Sequence, residues 1–504
     1  MGHAVGIDLG TTFSAVAVVR AGGRPELLWN REGDHLTPSV VLFQDAGQVL
    51  VGKTAKNAAK DLPDDCVQFV KRQMGNADWS FVDSHGGVHG AEELSALILK
   101  RLAEDASEAL GEPVRDVVIT VPAYFDDARR TATRQAGEIA GLNVLRLINE
   151  PTAAGIAFGS GDMGEGTLLV YDLGGGTFDV TVMRVGGDEL EVIATTGDRN
   201  LGGFDFDNRL MEHVAEQVRE QGGPDLYDDG RLQGELREKC EQAKHALTRA
   251  AQTRLFFSDA GGTFTVTVTR ERFEELTEDL LARTADAAEE VLEEADLTWA
   301  QIDRVLLVGG STKMPMVREM IERVSGKAPD TSVNPDEAVA LGAAIVADYE
   351  LTRKDESKAV VPYTIQDVTS QGLGVIAVED DLVTEYNQII IPKNTRIPCQ
   401  EFQVFQTIAH HQRRLDLQVT EGDDDDPEYV AKLVERPIRL PGGLPKGAPV
   451  KVVMSYDIDG VVHVELIDLT SGRSLGEIEL ERPRNLDAAQ VEGLAAGMKS
   501  VDVQ

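Results

Sequence analysis

The sequence predicts an α/β fold over about the first 350 residues and a β-rich fold over the remainder. A strand that ends in an aspartate and then breaks into glycine and threonine occurs twice, at Gly6–Ser14 and at Tyr171–Asp179. Between and after these copies, strand-like and helix-like patterns alternate, which is typical of α/β layering. After a charged stretch at Leu351–Lys358, short segments with period-two alternation take over, as in a β-rich domain.

Each copy begins with an apolar strand, Ala4–Leu9 or Leu168–Leu173. Glycine lets backbone N–H groups approach an anion, threonine adds hydroxyl donors, and aspartate can hold a hydrated cation. One copy alone would equally fit an ordinary β-turn, with its polar residues capping the turn. The duplication favours a clamp on one polyphosphate, with cation-side carboxylates and threonine donors at Asp8, Asp172, Thr11, Thr12 and Thr177.

Further α/β elements are predicted between and after the two copies. Strands are expected at Val114–Val121 and Val144–Ile148, and helices at Ala91–Leu110, Asp127–Ala140 and Arg272–Ala295. A helix at Arg231–Ala251 would place four polar residues on one face, which suits either solvent or a ligand; they are Glu241, Lys244, His245 and Thr248.

A third glycine turn follows the apolar strand Arg304–Gly309, in the segment Gly310-Ser311-Thr312-Lys313. A helix is expected from Met316, so this turn lies at a strand-to-helix junction, which suits anions and ribose hydroxyls. Outside these turns, Lys71 could neutralise a phosphate or orient a water, and Glu150 could hold a metal-bound water or act as a base. Taken alone, each of the two also fits a surface charge.

The β-rich half contains a strong hairpin signal, in which Val450–Ile458 and Val461–Leu466 flank Asp459-Gly460. The acidic run Asp423–Asp426 is interpreted as a solvated loop, because it lacks the ligand spacing and glycine of a calcium loop. The chain then carries a short amphipathic stretch at Leu486–Met498.

Composition excludes several classes of function. The 504 residues suggest two to four domains. A net charge of -37, from 86 acidic and 49 basic residues, disfavours binding to nucleic acid or anionic membranes. Cys66, Cys240 and Cys399 lack metal-ligand or redox spacing and are expected to be thiols in a reducing compartment. No signal peptide or membrane span is evident, so a cytoplasmic location is expected.

Six segments together closely resemble the seventy-kilodalton heat-shock chaperones, the DnaK-like family, and the resemblance covers nearly the whole chain. They are Gly6–Ser14, Val121–Phe125, Ile148–Ala154, Asp172–Asp179, Val308–Thr312 and Asn334–Ala338. The resemblance implies a bilobed ATPase domain of the actin and hexokinase superfamily with duplicated ribonuclease-H-like halves. It also implies a β-sandwich domain that binds peptides, and ATP or ADP with Mg²⁺ and often K⁺ in a cleft.

Domain limits follow from this resemblance and from the change of pattern. We predict an ATPase domain over residues 1–354, a linker over 355–367, a β-sandwich over 368–484 and a short C-terminal helix over 485–504. The family carries a helical lid after the sandwich, and this chain is expected to lack it, so that peptide release would be fast.

Matching positions imply the roles of individual residues. The implied catalytic residues are Lys71, Glu150, Asp172 and Thr177, and the implied metal-side carboxylates are Asp8, Asp172 and Asp179. The implied nucleotide lining is Gly10, Thr11, Thr12, Phe13, Gly174, Gly175, Gly176, Gly202, Gly203, Glu241, Lys244, His245, Thr248, Gly309, Gly310, Ser311, Lys313 and Asp336. The family generally has arginine at His245 and Lys313, and because arginine stacks flat on a purine, nucleotide affinity is less certain than nucleotide identity.

The β-rich half implies a peptide cleft and a partner surface. The cleft would be lined by Val375, Phe405, Leu415 and Leu417, although ordinary sandwich core explains these apolar residues too. Interdomain signalling or partner binding is implied for Pro122, Arg130, Arg146 and Asp367, with a J-domain cochaperone contacting the last two.

Two further departures concern partners and coupling. The linker segment Pro362–Gln366 replaces a leucine-rich run, which predicts weak docking on the ATPase domain. The connection Ala250–Thr265 is short, so a nucleotide-exchange factor is uncertain. The expected function is an ATP-dependent chaperone for apolar peptide segments. A small-molecule kinase of the same superfamily and an actin-like or regulatory nucleotide-dependent binder stay open as alternatives.

Overall fold

The computed structural model describes residues 2–20, 23–44, 48–159, 165–186, 189–259, 262–353, 364–379, 381, 383–478 and 485–504. Strands and helices alternate over the first two thirds of these residues, and strands dominate the last third. The protein is therefore a mixed α/β chain with a β-rich part after residue 363.

The strands of the described residues are, in chain order, β1 (Val5–Asp8), β2 (Phe13–Val19), β3 (Pro25–Leu27), β4 (Leu36–Pro38), β5 (Val40–Phe43), β6 (Gln48–Val51), β7 (Cys66–Gln68), β8 (Phe81–Val82), β9 (Val88–His89), β10 (Asp116–Val121), β11 (Asn143–Asn149), β12 (Gly166–Leu173), β13 (Phe178–Gly186), β14 (Glu189–Asp198), β15 (Gln252–Asp259), β16 (Gly262–Thr269), β17 (Arg304–Val308), β18 (Thr364–Val368), β19 (Leu373–Val378), β20 (Glu385–Ile391), β21 (Arg396–Ile397), β22 (Cys399–Gln406), β23 (Arg414–Glu421), β24 (Ala431–Arg439), β25 (Pro449–Tyr456), β26 (Val462–Asp468), β27 (Arg473–Ile478) and β28 (Asp502–Val503).

The α-helices of the same residues are α1 (Lys53–Ala58), α2 (Ala91–Leu110), α3 (Asp127–Ile139), α4 (Glu150–Gly159), α5 (Gly203–Glu220), α6 (Gly230–Leu247), α7 (Arg270–Leu276), α8 (Glu278–Glu294), α9 (Pro315–Ser325), α10 (Ala338–Arg353) and α11 (Ala488–Met498). Within the part of the chain that the structure describes, no helix combines the length and apolar character needed to cross a membrane.

Two six-stranded sheets repeat one local arrangement. In the first, strands run in the order β11-β10-β1-β2-β3, with β4 paired to β2. In the second, the order is β17-β12-β13-β14-β18-β21. In each sheet the strand that carries the aspartate, β1 or β12, is antiparallel to the next strand in sequence and parallel to a later one, β10 or β17. The sequence duplication is therefore also a duplication of strand pairing.

Helices α4 and α10 cross with almost no space between their backbones. A Cβ atom placed on Gly342 of α10 would lie 1.8 Å from the carbonyl oxygen of Ala153 in α4. Helix α10 also approaches strand β1 closely, since a Cβ on Gly6 of β1 would lie 2.1 Å from the backbone nitrogen of Ala344 in α10. Both contacts are with backbone atoms, so a side chain here forces the elements apart.

We therefore expect Gly342→Ala to lower the free energy of unfolding by about 1–3 kcal/mol, because the added methyl group has nowhere to go. Thermal or urea unfolding measures the effect. A matched control is Gly493→Ala in α11, where a Cβ would meet nothing within 4 Å. That variant should gain up to about 1 kcal/mol from helix propensity. A Gly342→Ala protein as stable as wild type would contradict this close crossing.

The β-rich part contains two four-stranded antiparallel sheets, ordered β20-β19-β23-β24 and β22-β25-β26-β27. Alternate residues of these strands meet in one apolar cluster, for example Leu373, Val419, Val452 and Leu466. The predicted hairpin at Asp459-Gly460 is present between β25 and β26. Each sheet covers the apolar face of the other, as in a sandwich.

Strand β18 connects the sandwich to the second sheet. Thr364, Ile365 and Gln366 pair in parallel with residues 189–191 of β14, and the end of β18 pairs with β21. Part of the predicted linker is thus docked as a strand, and Ile365 packs against an apolar cluster beneath it. Pro362 and Tyr363 lie outside the described residues, and the expected weakness of the docking stays a prediction.

Three element predictions need correction. The single helix predicted at Arg272–Ala295 is two helices, α7 and α8, separated at Thr277, whose hydroxyl donates to the carbonyl of Phe273. The helix predicted to reach Ala251 ends at Leu247, because β15 begins at Gln252 and pairs with β16. The C-terminal region is more than a short helix, since strand β28 follows α11.

Candidate functional site

The two duplicated glycine turns meet at the wall of a cavity of about 620 Å³. A Cβ on Gly175 would lie 2.0 Å from Thr12 Oγ1, and one on Gly176 would lie 2.7 Å from Thr11 Cγ2. A Cβ on Gly202 would lie 2.5 Å from the backbone nitrogen of Gly176. Only glycine therefore allows the two turns, and the turn before α5, to approach this closely.

Most residues predicted for the nucleotide site line this one cavity. They are Asp8, Gly10, Thr11, Thr12, Phe13, Lys71, Glu150, Asp172, Gly174, Gly175, Thr177, Gly203, Glu241, Lys244, His245, Thr248, Gly309, Gly310, Ser311, Lys313 and Asp336. Gly176, Gly202 and Asp179 are not among the residues that line the cavity. The Ser311 hydroxyl joins the third glycine turn to the second by donating to the carbonyl of Gly174 at 2.8 Å.

Buried carboxylates form one end of the cavity. Burial, together with the negative charge of Glu150, raises the pKa of Asp8 to about 7. The same two causes raise the pKa of Asp179 to about 7, although its carboxylate accepts a hydrogen bond from the Tyr124 backbone at 2.9 Å. Burial, Glu150 and the other two aspartates raise the pKa of Asp172 well above its ordinary value. Ionisation of these carboxyls is therefore disfavoured until a cation compensates their negative charge.

The nearest compensating cation is Lys71, which forms an ion pair with Glu150. Both side chains are almost fully buried, with 7% and 10% exposure. Lys71 stands in a short turn that leaves Phe69 at a positive φ of 60°, and Glu150 is the first residue of α4. The chain thus brings two oppositely charged side chains, far apart in sequence, to the cavity wall.

The carboxylates suit a cation that keeps its water ligands. Among the residues that the structure describes, no three or more His, Cys, Asp or Glu side chains are grouped so that they could bind a metal ion. Mg²⁺ loses its water reluctantly and usually binds through one or two carboxylates and substrate phosphates. Asp8 and Asp172 at the cavity wall, with Asp179 close enough to raise the pKa of Asp172, therefore fit a hydrated Mg²⁺ and not an all-protein cage.

Cation binding at this site should depend on pH. Because the pKa values of Asp8 and Asp179 are raised to about 7, these groups hold protons below that pH and must release them to a cation. We expect the affinity for Mg²⁺-nucleotide to rise from pH 6 to pH 8, by up to about tenfold per pH unit for each proton displaced. Calorimetry in two buffers of different ionisation enthalpy counts the released protons. Asp179→Asn should reduce that count, and a flat affinity over this range would contradict the expectation.

The opposite end of the cavity is formed by α6 and the third glycine turn. Lys244 donates to Asp207 at 2.8 Å and to the carbonyl of Gly203 at 3.0 Å, which fixes α6 against the start of α5. Burial and the neighbouring charge of Lys244 lower the pKa of His245, which favours a neutral, stackable imidazole. Lys313 pairs with Asp336 on the facing side.

Sequence reasoning missed several residues of this site. Lys56 pairs with Glu241 at 2.6 Å and lies 4.9 Å from the centre of the Phe13 ring, so it contacts two residues that line the cavity. Asp207, which holds Lys244, also lines the cavity. The position of Asp207, one helical turn after Gly203, was a usable signal. Lys56 carried none, because its partner is 185 residues away.

Comparison with known families decides the class of protein. A family model described as Hsp70 protein matches residues 4–504. The chain belongs to the Hsp70 family. Proteins of this family are ATPases that bind ATP or ADP with Mg²⁺, and they generally bind unfolded peptides and cochaperones. The family assignment makes this protein an Hsp70-type chaperone.

The four predicted peptide-cleft residues of this Hsp70 protein lie together. Val375 and Leu417 are buried, with 3% and 4% exposure, and Phe405 and Leu415 are partly buried against the same apolar cluster. This placement suits a cleft that opens into the sandwich, and it equally suits plain sandwich core. Their role in peptide binding stays a prediction.

The residues predicted for partner binding or signalling are buried where the sandwich meets the preceding α/β part. Arg130 donates to Asn149 at 2.7 Å, and Asn149 donates to Asp367 at 2.8 Å. Arg146 is 3.7 Å from Glu350, and Pro122 is also buried. In this arrangement a J-domain protein would reach Arg146 or Asp367 only after the contact opens, and that partner contact stays a prediction.

Proposed function

We propose that this Hsp70 protein binds ATP with Mg²⁺ in the 620 Å³ cavity, hydrolyses it slowly, and uses the nucleotide to alter its grip on exposed apolar peptide segments. The observation that supports this proposal is the convergence of both glycine turns and the Lys71–Glu150 pair on one cavity. The proposal places the protein in the cytoplasm, with Mg²⁺ and K⁺ as its cations.

Transfer of a phosphoryl group to water demands little covalent chemistry from a protein. Backbone N–H groups of the glycine turns, with Thr11 and Thr12, would hold the phosphates in place. Lys71 would stabilise the charge that develops on the transferred group or orient the water, and Glu150 would accept the proton of that water. Mg²⁺, when bound, neutralises the β- and γ-phosphates. Thr177 would stand beside the γ-phosphate.

The repeated sheet arrangement supports the finer fold assignment. We interpret the first and second sheets as the two halves of a bilobed, actin-like ATPase domain over residues 1–354. The pairing of β1 with β2 and β10, repeated in β12 with β13 and β17, favours this interpretation. Residues 368–484 would form the peptide-binding domain, in which an extended peptide is held by main-chain hydrogen bonds and apolar pockets.

The deciding experiment measures phosphate release from ATP, alone and with an unfolded client and a J-domain protein. Stimulation by both is expected for a chaperone. The variant Lys53→Ala serves as a control and should release phosphate like wild type. Lys53 is an exposed lysine that pairs with Asp34 away from the cavity. Phosphoryl transfer to an added sugar would instead indicate a kinase, and ATP-dependent sedimentation would indicate a filament-forming binder.

A further inference from the structure

The last twenty residues, 485–504, pack against the first half of the chain. Strand β28 adds to the edge of β6 in parallel, with Asp502 opposite Gln48 and Val503 opposite Val49. Gln504 completes this pairing, since its carbonyl accepts from the Val51 backbone and its backbone N–H donates to the Val49 carbonyl, both at 2.9 Å. We call residues 485–504 the clasp.

Buried side chains and a lysine hold the end of the clasp in place. Met498 and Val503 have 5% and 2% exposure and belong to the apolar cluster beneath the first sheet. Lys100 of α2 donates to the carbonyls of Met498 and Val501 at 2.9 and 2.6 Å. The segment is therefore an integral part of the ATPase-side core, and not a loosely attached tail.

The start of the clasp contacts helix α3. Asn485 donates to the carbonyl of Ala128 at 2.8 Å, and the side chain of Gln135 donates to the carbonyl of Leu486 at 2.7 Å. The Asp487 side chain caps α11 by accepting from the Gln490 backbone, and α11 then packs along α3. The clasp is thus fixed both at its start and at its end.

The same helix α3 also contacts the sandwich. Arg134 forms an ion pair with Asp459, and the Val462 backbone donates to Asp127 at 3.0 Å. Strand β27 of the sandwich ends at Ile478, seven chain steps before Asn485. A fully extended chain advances at most about 3.6 Å per residue, so these two points cannot separate by more than about 25 Å. The sandwich is therefore tethered at both ends, through β18 and through the clasp.

We propose that the clasp restrains separation of the sandwich from α3 and so favours the docked arrangement seen here. An interface that reforms within one chain experiences an effective partner concentration of about millimolar or more, and a second short tether raises it further. Any separation of the sandwich from α3 that nucleotide drives would have to overcome this restraint. Only the comparison between the ADP and ATP states rests on the proposed function. The tether itself restrains the sandwich without any ligand.

The test severs the tether and leaves its anchors intact. A protease recognition sequence is inserted between Ile478 and Asn485, and the purified protein is cleaved. Hydrogen exchange at the Val462 amide, which donates to Asp127 across the contact, reports docking directly. Without nucleotide, we expect exchange at this amide to become at least tenfold faster after cleavage, with an increased radius of gyration in solution scattering. Unchanged exchange after complete cleavage would overturn the proposal.

A second variant weakens the anchor itself. Val503→Asp places a charge in a buried position, and Lys499→Asp places the same charge at an exposed position of the clasp. Faster Val462 exchange is expected in the first variant only, and equal exchange rates in the two would count against the clasp. Repeating the cleavage experiment with ADP and with ATP should give a larger nucleotide-dependent change in docking in the cleaved protein than in the intact protein. If the protein does not bind nucleotide, a separate binding assay will show this. The effect of cleavage on Val462 exchange without nucleotide would still test the clasp.

Discussion

Replacing Lys71 by alanine is expected to reduce ATP turnover by about 10²- to 10³-fold, which is the usual cost of removing one donor that stabilises transition-state charge. Nucleotide affinity should change little, because the glycine turns, Thr11 and Thr12 are untouched. The prediction is checked by phosphate release under single-turnover conditions and by calorimetry of nucleotide binding. Wild-type turnover in the variant would show that Lys71 has no part in the reaction.

The loss of Lys71 also removes the partner of buried Glu150, so an inactive variant could merely be unstable. A single buried charge left without its partner costs about 3–5 kcal/mol. The double variant Lys71→Met with Glu150→Gln removes both charges and preserves volume. It should recover the unfolding temperature without recovering turnover. Recovery of both would assign Lys71 and Glu150 a purely structural role.

The sequence allowed the class of fold and most of the cavity to be predicted, because the responsible residues are local. In Gly6–Ser14 and Tyr171–Asp179 the strand, the aspartate and the glycines stand next to each other, so each short segment predicts a strand that ends in a glycine turn, and the duplication favours a shared ligand. Lys71 and Glu150 carry no such local signal. Their assignment came from the family resemblance, and the structure places both on the same cavity wall.

What the sequence could not show depends on contacts between distant segments. The pairing of Asp502 and Val503 with residues 48 and 49 requires two segments more than 450 positions apart to meet. A two-residue strand has no periodicity from which it could be predicted. The break at Thr277 was missed for a different reason: apolar residues continue at helical spacing across it, although the backbone of Thr277 leaves helical geometry with φ -121° and ψ 10°.

Glu421 is a buried acid of the sandwich that lies near two aspartates of the first half of the chain. Its side chain lies in β23 with 3% exposure, and its Oε2 atom has no hydrogen-bond partner among the described residues. Burial, followed by the negative charges of Asp126 and Asp127, raises its pKa well above the ordinary value. Burial therefore favours a neutral carboxyl at this position in the folded protein.

A proton held only in the folded state makes stability depend on pH. Below the ordinary pKa of glutamate, both folded and unfolded chains carry the proton, and Glu421 contributes no pH dependence. Above it, the unfolded chain releases the proton while the folded chain retains it. The free energy of unfolding should then fall as pH rises, by at most about 1.4 kcal/mol per unit, until the raised pKa of Glu421 is passed.

Glu421→Gln keeps the shape and removes the proton equilibrium. We expect the variant to match wild type near pH 4 and to become progressively more stable than wild type as pH rises, by at most about 1.4 kcal/mol per pH unit. Urea unfolding at several pH values measures this difference, and Glu435→Gln, at an exposed position of β24, serves as the control. A constant difference between Glu421→Gln and wild type at all pH values would mean that Glu421 is ionised or solvated in the folded protein. A difference that grows with pH only in Glu421→Gln identifies a neutral carboxyl held between the two parts of the chain.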